Sequence, residues 1–269
     1  MDIPGVQPAS CALNLFSPTS KAERVEVFAA GASGPFAARV TGGAILSDSV
    51  LRASGDFAVA VASAGSGGTL RNVTAIASGS DSTGLFTNAV YQGAAPVQTI
   101  TAQSSIFRGD NYGIDVQGDG SHTVSVETDH SITWDLNWAI LPDATISGDP
   151  QTPTPLFVSG TDFHQLAGSP TVNAGAAVAG LSATDLDGQA RTVGSPSDIG
   201  ADEYVPPDPP AAPQQPGAKK KKGKKGKKRK GKASAKKKCK KRKGKKRQQR
   251  RSGLLPSLRG CSRPSSPAR

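Results

Sequence analysis

Phe36-Ala-Ala-Arg-Val40, Phe57-Ala-Val-Ala-Val61, Thr83-Gly-Leu-Phe-Thr87 and Tyr112-Gly-Ile-Asp-Val116 are four versions of one short apolar ladder, each introduced by a turn rich in Gly, Asp, Ser or Pro. Aligned on their first residues, they put the small residues Ala37, Ala58, Gly84 and Gly113 second, and Ala38, Val59, Leu85 and Ile114 third. The steps are 21, 26 and 29 residues. A unit of that length is too small to bury its own apolar face, so it must stack on its neighbours, which is the logic of a solenoid.

Two further β-rich runs follow each ladder. They are Ala44-Ile-Leu46 and Ser49-Val-Leu51, Thr69-Leu70 and Val73 to Ile76, Val97 to Ile100 and Ser105 to Phe107, and Thr123 to Val126 and Ser131 to Thr133. Between the second and third runs a polar residue recurs, at Asp48, Asn72, Gln103 and Asp129, where a tight bend favours a side chain that can bond its own backbone. Strand alternation sends Phe36, Ala38 and Val40 inward and Ala37 and Arg39 outward. The outward column then reads Arg39, Ala60, Phe86 and Asp115, while Phe36, Ala38, Val59, Leu85, Ile114 and Val116 are expected to be buried. Hairpin turns such as Asn-Gly, which an antiparallel sandwich or propeller needs, are missing between these runs. Three short strands per coil resembles the right-handed parallel β-helix of pectate-lyase-like proteins. The expected fold class is therefore all-β, with Asn88 to Pro96 protruding as a loop.

The pattern changes after Trp134. Asp162-Phe-His-Gln-Leu-Ala-Gly-Ser-Pro170, Thr184-Asp-Leu-Asp-Gly-Gln-Ala-Arg191 and Asp198-Ile-Gly-Ala-Asp-Glu-Tyr204 follow one another. These three elements resemble the C-terminal module of bacterial surface and secreted β-helix proteins known as the choice-of-anchor Q domain, with Leu166 one place later than in its commonest form. The resemblance implies an irregular cap and export to the extracellular space or cell surface, and it carries no catalytic residues to transfer. The expected organisation is an irregular segment or truncated cap over 1–24, coils over 25–141, the cap module over 142–204, a Pro-rich linker over 205–218 and a disordered basic tail over 219–269. The start Met-Asp-Ile-Pro-Gly lacks a positive region followed by an apolar core, so no signal peptide is read there. The repeats are already under way near Val25, which leaves open a fragment of a longer exported protein. No run approaches the roughly 18 apolar residues of a membrane span.

The net charge of +12 hides a segregation. The tail from Lys219 carries 26 of the 33 basic residues and no acid, whereas the body holds 7 basic residues and all 21 acids. An acidic body repels polyanions while the tail attracts them, so an acidic partner is read from Lys219, Lys220, Lys221, Lys222, Lys224, Lys225, Lys227, Lys228, Arg229 and Lys230 onward. The tail lacks interleaved aromatics, which argues for non-specific contact with cell-wall polyanion, polysaccharide or nucleic acid over base-specific stacking. Its Pro-rich approach is stiff and extended, and the tail has too little apolar content to offset the entropy of folding. The three cysteines, Cys11, Cys239 and Cys261, have no metal-ligand spacing and define no disulfide framework.

Catalysis has to be read from residues and not from the coil. The densest cluster is Arg108 to His122 with Asp129, His130 and Asp135, in which Asp110, Asp115 and His122 are the candidate acid–base groups. The plainer reading makes Asp110 and Asp119 turn residues beside Gly and places His130 in the recurrent bend. Arg108-Gly-Asp110 spells an adhesion tripeptide and is read as an ordinary bend. Asp185-Leu-Asp187-Gly188 begins like a Ca²⁺ loop but lacks the later Glu, so Asp185 and Asp187 are the only candidate metal ligands and Ca²⁺ the only candidate cofactor. The structural alternative pairs Asp185 or Asp198 with Arg191, and gives His164 a satisfied structural role. The leading expectation is a non-enzymatic, monomeric, surface-associated protein held to acidic polymers by its tail. The alternatives are a polysaccharide lyase or glycosidase and a nucleic-acid-binding protein.

Overall fold

In the computed structural model of the chain, which describes residues 11–88, 97–133, 139–140, 143–177 and 180–207, the apolar runs become strands, and no helix occurs among them. One sheet takes a strand from each successive coil: β1 (Leu13–Leu15), β4 (Phe36–Val40), β6 (Val59–Ser63), β8 (Thr83–Asn88), β11 (Tyr112–Gln117) and β14 (Ala139–Ile140). The other holds β2 (Lys21–Glu23), β3 (Glu26–Ser33), β5 (Ala44–Asp56), β7 (Gly67–Ser78), β9 (Val97–Gln103), β10 (Ile106–Arg108), β12 (Thr123–Asp129), β13 (Ile132–Thr133) and β15 (Ala144–Gly148). All pairings between these strands are parallel, which makes a β-solenoid of about five turns. The stack takes in β1 and β2, which fall before residue 25. The linker beyond 207, the basic tail, most of the Asn88 to Pro96 loop, Asp135, Cys239 and Cys261 lie outside the described residues.

The second and third runs are separated by a residue in the left-handed region at Arg24, Asp48, Asn72, Ser104 and His130, with φ between 45° and 55°. Asp48 and Asn72 stand where the sequence places them, but Gln103 and Asp129 are each one residue short of the bend. Asp and Asn tolerate this conformation best, so a reading by residue type passes over Ser104 and stops one residue before His130. The bend interrupts the backbone ladder, and at three of the five a serine one residue further on answers it. Ser49 Oγ accepts from Val25 N at 3.2 Å, Ser105 Oγ from Val73 N at 3.1 Å and Ser131 Oγ from Ser105 N at 3.2 Å.

The first-sheet register differs from the sequence reading at one coil. Phe36 pairs with Val59 and Ala38 with Val61, so Phe57 lies two residues ahead of the ladder, in the turn, with φ 54° and substantial exposure. A two-residue slip leaves the alternation of faces unchanged, so the apolar pattern cannot detect it. The outer column consequently runs Arg39, Ala62, Phe86 and Asp115. The small column runs Ala37, Ala60, Gly84 and Gly113 and is interior: Ala37 is fully buried in the main core, not outward. A Cβ on Gly84 would sit 2.6 Å from Arg108 N and 2.7 Å from Gly113 O, so the corner where third and first strands meet admits only small residues.

Leu46, Leu51, Leu70, Leu85, Ile100, Phe107, Ile114 and Val126 fill the main core. Phe36 and Val59 are buried as expected, but in a separate cluster with Ala62 and Phe86 of the outer column and not in the main core with Ala38 and Val40. A third cluster lies where the coils meet the C-terminal module. Val50, Ile76, Ile106 and Ile132 from successive coils pack against Phe163, Ile199 and Ala201. β15 extends the stack although it falls after residue 141, and beyond it the module has only isolated bridges among the described residues, such as Phe157 with Gln165 and Thr184 with Ala190. It covers the flank of the solenoid along the bend column.

Candidate functional site

The module is fixed to the coils at four of the five bends. Arg24 donates to Thr184 Oγ1 at 2.9 Å, Asp48 accepts from Ser182, Asn72 Nδ2 donates to Asp198 O at 3.1 Å, and Ser104 accepts from Gly200 N at 2.8 Å and Ala176 N at 2.7 Å. Gly200 has φ 105°, and a Cβ there would stand 2.8 Å from Ile106 Cδ1, so the D-x-G-A element needs glycine to lie this close to the sheet.

Arg191 is the largest fully buried side chain among the described residues. It donates to the carbonyls of Asp198 at 3.0 Å, Gly200 at 2.7 Å and Ala201 at 2.9 Å. Its carboxylate partner is Asp48, at 3.6 Å, and not Asp185 or Asp198. Those two acids work as backbone acceptors instead. Asp185 takes N–H groups from Asp187, Gln189 and Glu203, and Asp198 takes those of Asn173 at 2.6 Å and Tyr204 at 2.7 Å. Glu203 likewise accepts from Val193 N and Asp198 N. In a segment without strands, carboxylates supply the acceptors that a sheet would have provided. Burial raises the carboxyl pKa of Asp48, Asp198, Asp202 and Glu203.

At the outer edge of this network the three motif elements meet on one histidine. His164 Nδ1 bonds Asp162, and His164 Nε2 lies 2.6 Å from Asp187 Oδ2. Asp202, 5% exposed, brings a further carboxylate oxygen within 4.8 Å of both, while its Oδ2 accepts from Gln165 N at 2.7 Å. The bond to Asp162 and, against partial burial, the bond to Asp187 raise the imidazole to about 9, so it is a cation at neutral pH. Asp162 is lowered by the same contact.

The acid–base candidates of the coils are not brought together in this way. Asp110 Oδ2 accepts from Gly79 N at 2.8 Å and its Oδ1 lies 3.6 Å from Arg108. His122 is held by Asp119, which also accepts from the N–H groups of Ser121 and His122 and whose carboxyl is lowered for that reason. Asp115 is outward but buried, 5% exposed, because its neighbours one coil away on the same face are only about 4.8 Å distant. Its Oδ2 accepts from Gln117 Nε2 at 2.9 Å, its Oδ1 has no hydrogen-bond partner among the described residues, and burial raises its carboxyl to about 6. His130 at its bend contacts Asp129 Oδ1 at 2.8 Å and Asp149 Oδ2 at 3.6 Å.

Of the candidate metal ligands, Asp187 faces His164 and Asp185 is fully buried and occupied by backbone N–H groups. Sequence reasoning missed Asp202 and Asp149. The signal for Asp202 lay in the final motif, but its meeting with His164 depends on how three irregular loops pack. Beside the cluster, a groove of about 390 Å³ runs between Ile76, Arg108, Leu156, Phe157, Phe163 and Leu166, with Phe157 and Phe163 edge to face at 5.2 Å. The chain matches no family model, no curated protein and no solved structure in these comparisons.

Proposed function

We propose that this chain is a non-catalytic, surface-associated β-solenoid of pectate-lyase-like type, exported with a choice-of-anchor Q-type module and held to acidic envelope polymers by its basic tail. The observation that carries the reading is the charge segregation: 26 Lys and Arg without an acid from Lys219 onward, against 21 acids and 7 basic residues before it. Each tail cation that neutralises a polymer charge releases condensed counterions, so affinity depends steeply on salt. The fixed charge of the body repels the same polymers and leaves the tail to make the contact. Binding of the full chain to teichoic acid, heparin and DNA should fall by orders of magnitude between about 50 and 200 mM salt. A chain ending at Gly217 should not bind. Equal affinity without the tail would remove the anchor reading, and a marked preference for DNA over wall polymer would favour a nucleic-acid-binding protein.

The alternative of a polysaccharide-active enzyme draws its support from Asp115, a buried carboxyl raised to about 6, as a general acid requires. Incubation with pectate, alginate or xylan, with and without Ca²⁺, tests it. Release of unsaturated or reducing ends that Asp115→Asn or His122→Gln abolishes would establish the enzyme; no release is expected.

A further inference from the structure

We propose that His164, Asp187 and Asp202 form a binding site for one divalent ion of the Zn²⁺ or Mn²⁺ class, joining the three irregular elements of the C-terminal module. The donor set is one imidazole nitrogen and two carboxylate oxygens, all within 4.8 Å of one another, and the ion takes the place of the proton on that nitrogen, which is released to solvent. Ca²⁺ takes six to eight oxygen ligands, whereas imidazole with carboxylate suits first-row transition ions.

Two features besides the density of acids point to a ligand here. The imidazole is oriented from behind: Asp162 holds Nδ1 and leaves Nε2 facing Asp187, the outer-sphere carboxylate arrangement of metal-bound histidines. Asp202 is a carboxylate 95% withdrawn from solvent, pinned through one oxygen by Gln165 N and offering an oxygen within 4.8 Å of the donor atoms of His164 and Asp187. The backbone around it is fixed in turn, because Asp185 accepts the N–H groups of Asp187 and Glu203, on either side of the site.

The distances allow an ion after a small adjustment. Ligand atoms about 2.0–2.2 Å from a tetrahedral Zn²⁺ stand about 3.3 Å apart. The 2.6 Å between His164 Nε2 and Asp187 Oδ2 must therefore open slightly, and the 4.8 Å limit must close. His164 and Asp187 can rotate, since their side chains are 46% and 33% exposed, while Asp202 stays fixed. The cluster Asp129, His130 and Asp149 offers the same donor types and serves as the internal comparison, having no buried carboxylate and no separate acid behind its histidine.

The test uses the full chain with its cysteines alkylated and titrates Zn²⁺, Mn²⁺ and Ca²⁺ separately by calorimetry and thermal unfolding at neutral pH. One saturable Zn²⁺ or Mn²⁺ per chain is expected, with an upward shift in Tm. Asp187→Asn, at a partly exposed position whose fold circular dichroism checks, should weaken binding at least tenfold, as should His164→Gln. Asp162→Asn should weaken it about 10- to 100-fold without removing a direct ligand. His130→Gln should leave it unchanged. Saturable binding lost in His130→Gln but kept in Asp187→Asn would move the site to the bend and overturn the proposal. So would an equal Tm shift with Ca²⁺, or no saturable binding of any ion.

Discussion

Leu46, Leu70, Ile100 and Val126 are fully buried in strands whose backbones are paired on both sides, whereas Asp198, Asp202, Glu203 and Arg191 are nearly as deeply buried in a segment with hardly any pairing. In the coils, backbone groups satisfy one another from turn to turn, and side chains need only fill space. In the module, side chains satisfy the backbone. The first arrangement tolerates conservative apolar exchange, and its pH dependence rests on a few buried carboxyls such as Asp48 and Asp115. The second depends on particular donors and acceptors, and on their protonation, at almost every position.

The largest effect separating the two regions should come from placing a charge in the coil stack. Ile114 is fully buried in the main core, so Ile114→Asp puts an uncompensated carboxylate where no partner is available. A loss of roughly 4 kcal/mol or more is expected, enough to abolish cooperative unfolding of the coils. Near-native stability in chemical denaturation would show that the stack is far looser than its burial implies.

Arg191→Ala should rank second and act on the module. It strands the carbonyls of Asp198, Gly200 and Ala201 and leaves Asp48 without its ion-pair partner, at a cost of roughly 3 kcal/mol. The signature is local: rapid hydrogen exchange and protease cleavage within 150–205, with the β-sheet spectrum of the coils retained. Simultaneous loss of both regions would mean that the coils depend on the module covering Val50, Ile76, Ile106 and Ile132.

The contrast also governs what the sequence reveals. Strand alternation and the spacing of apolar runs announced the coils, because both are periodic in the chain and each coil repeats the physics of the last. The misreadings fell where periodicity is blind. The two-residue slip at Phe57 preserves every face, and the bends at Ser104 and His130 are set by geometry that residue type only partly encodes. Outward does not mean exposed at Asp115, because stacked neighbours cover a short side chain. In the module, the elements containing Asp162, Asp187 and Asp202 are visible as motifs, but nothing in their spacing says that they converge on His164.

Asp115 gives a third, intermediate effect within the coils. Its folded pKa, about 6, lies above the ordinary carboxylate value, so protonation favours the folded state. Stability should therefore increase as pH falls through 6 toward the unfolded value, and the ionised side chain should be a burden above it. Asp115→Asn keeps an acceptor for Gln117 and removes the charge. It should be more stable than the parent at pH 8 by on the order of 1–2 kcal/mol, with the difference vanishing near pH 4. A destabilised Asn variant at high pH would show that the carboxylate has a compensating partner.

His164 should give the smallest shift, one that only a local probe resolves. Its folded pKa, about 9, is raised above the unfolded value of about 6.5, through Asp162 first and then Asp187. For a base shifted upward, the stabilisation is complete below the unfolded pKa and disappears as pH rises through the folded one. The side chain is 46% exposed and solvent screens the pair, so the gain is at most about 1 kcal/mol. In metal-free protein, exchange and cleavage in 162–190 should be slow at pH 6 and accelerate between about pH 7 and 9.5, whereas His164→Gln should be fast throughout. Asp115 should give the coils no such step in that interval, since it titrates near 6. A module equally protected at pH 6 and pH 9.5 would mean that Arg191 and the buried carboxylates hold it without help from the imidazolium, and that the pH sensitivity assigned to this region belongs only to its acid limb.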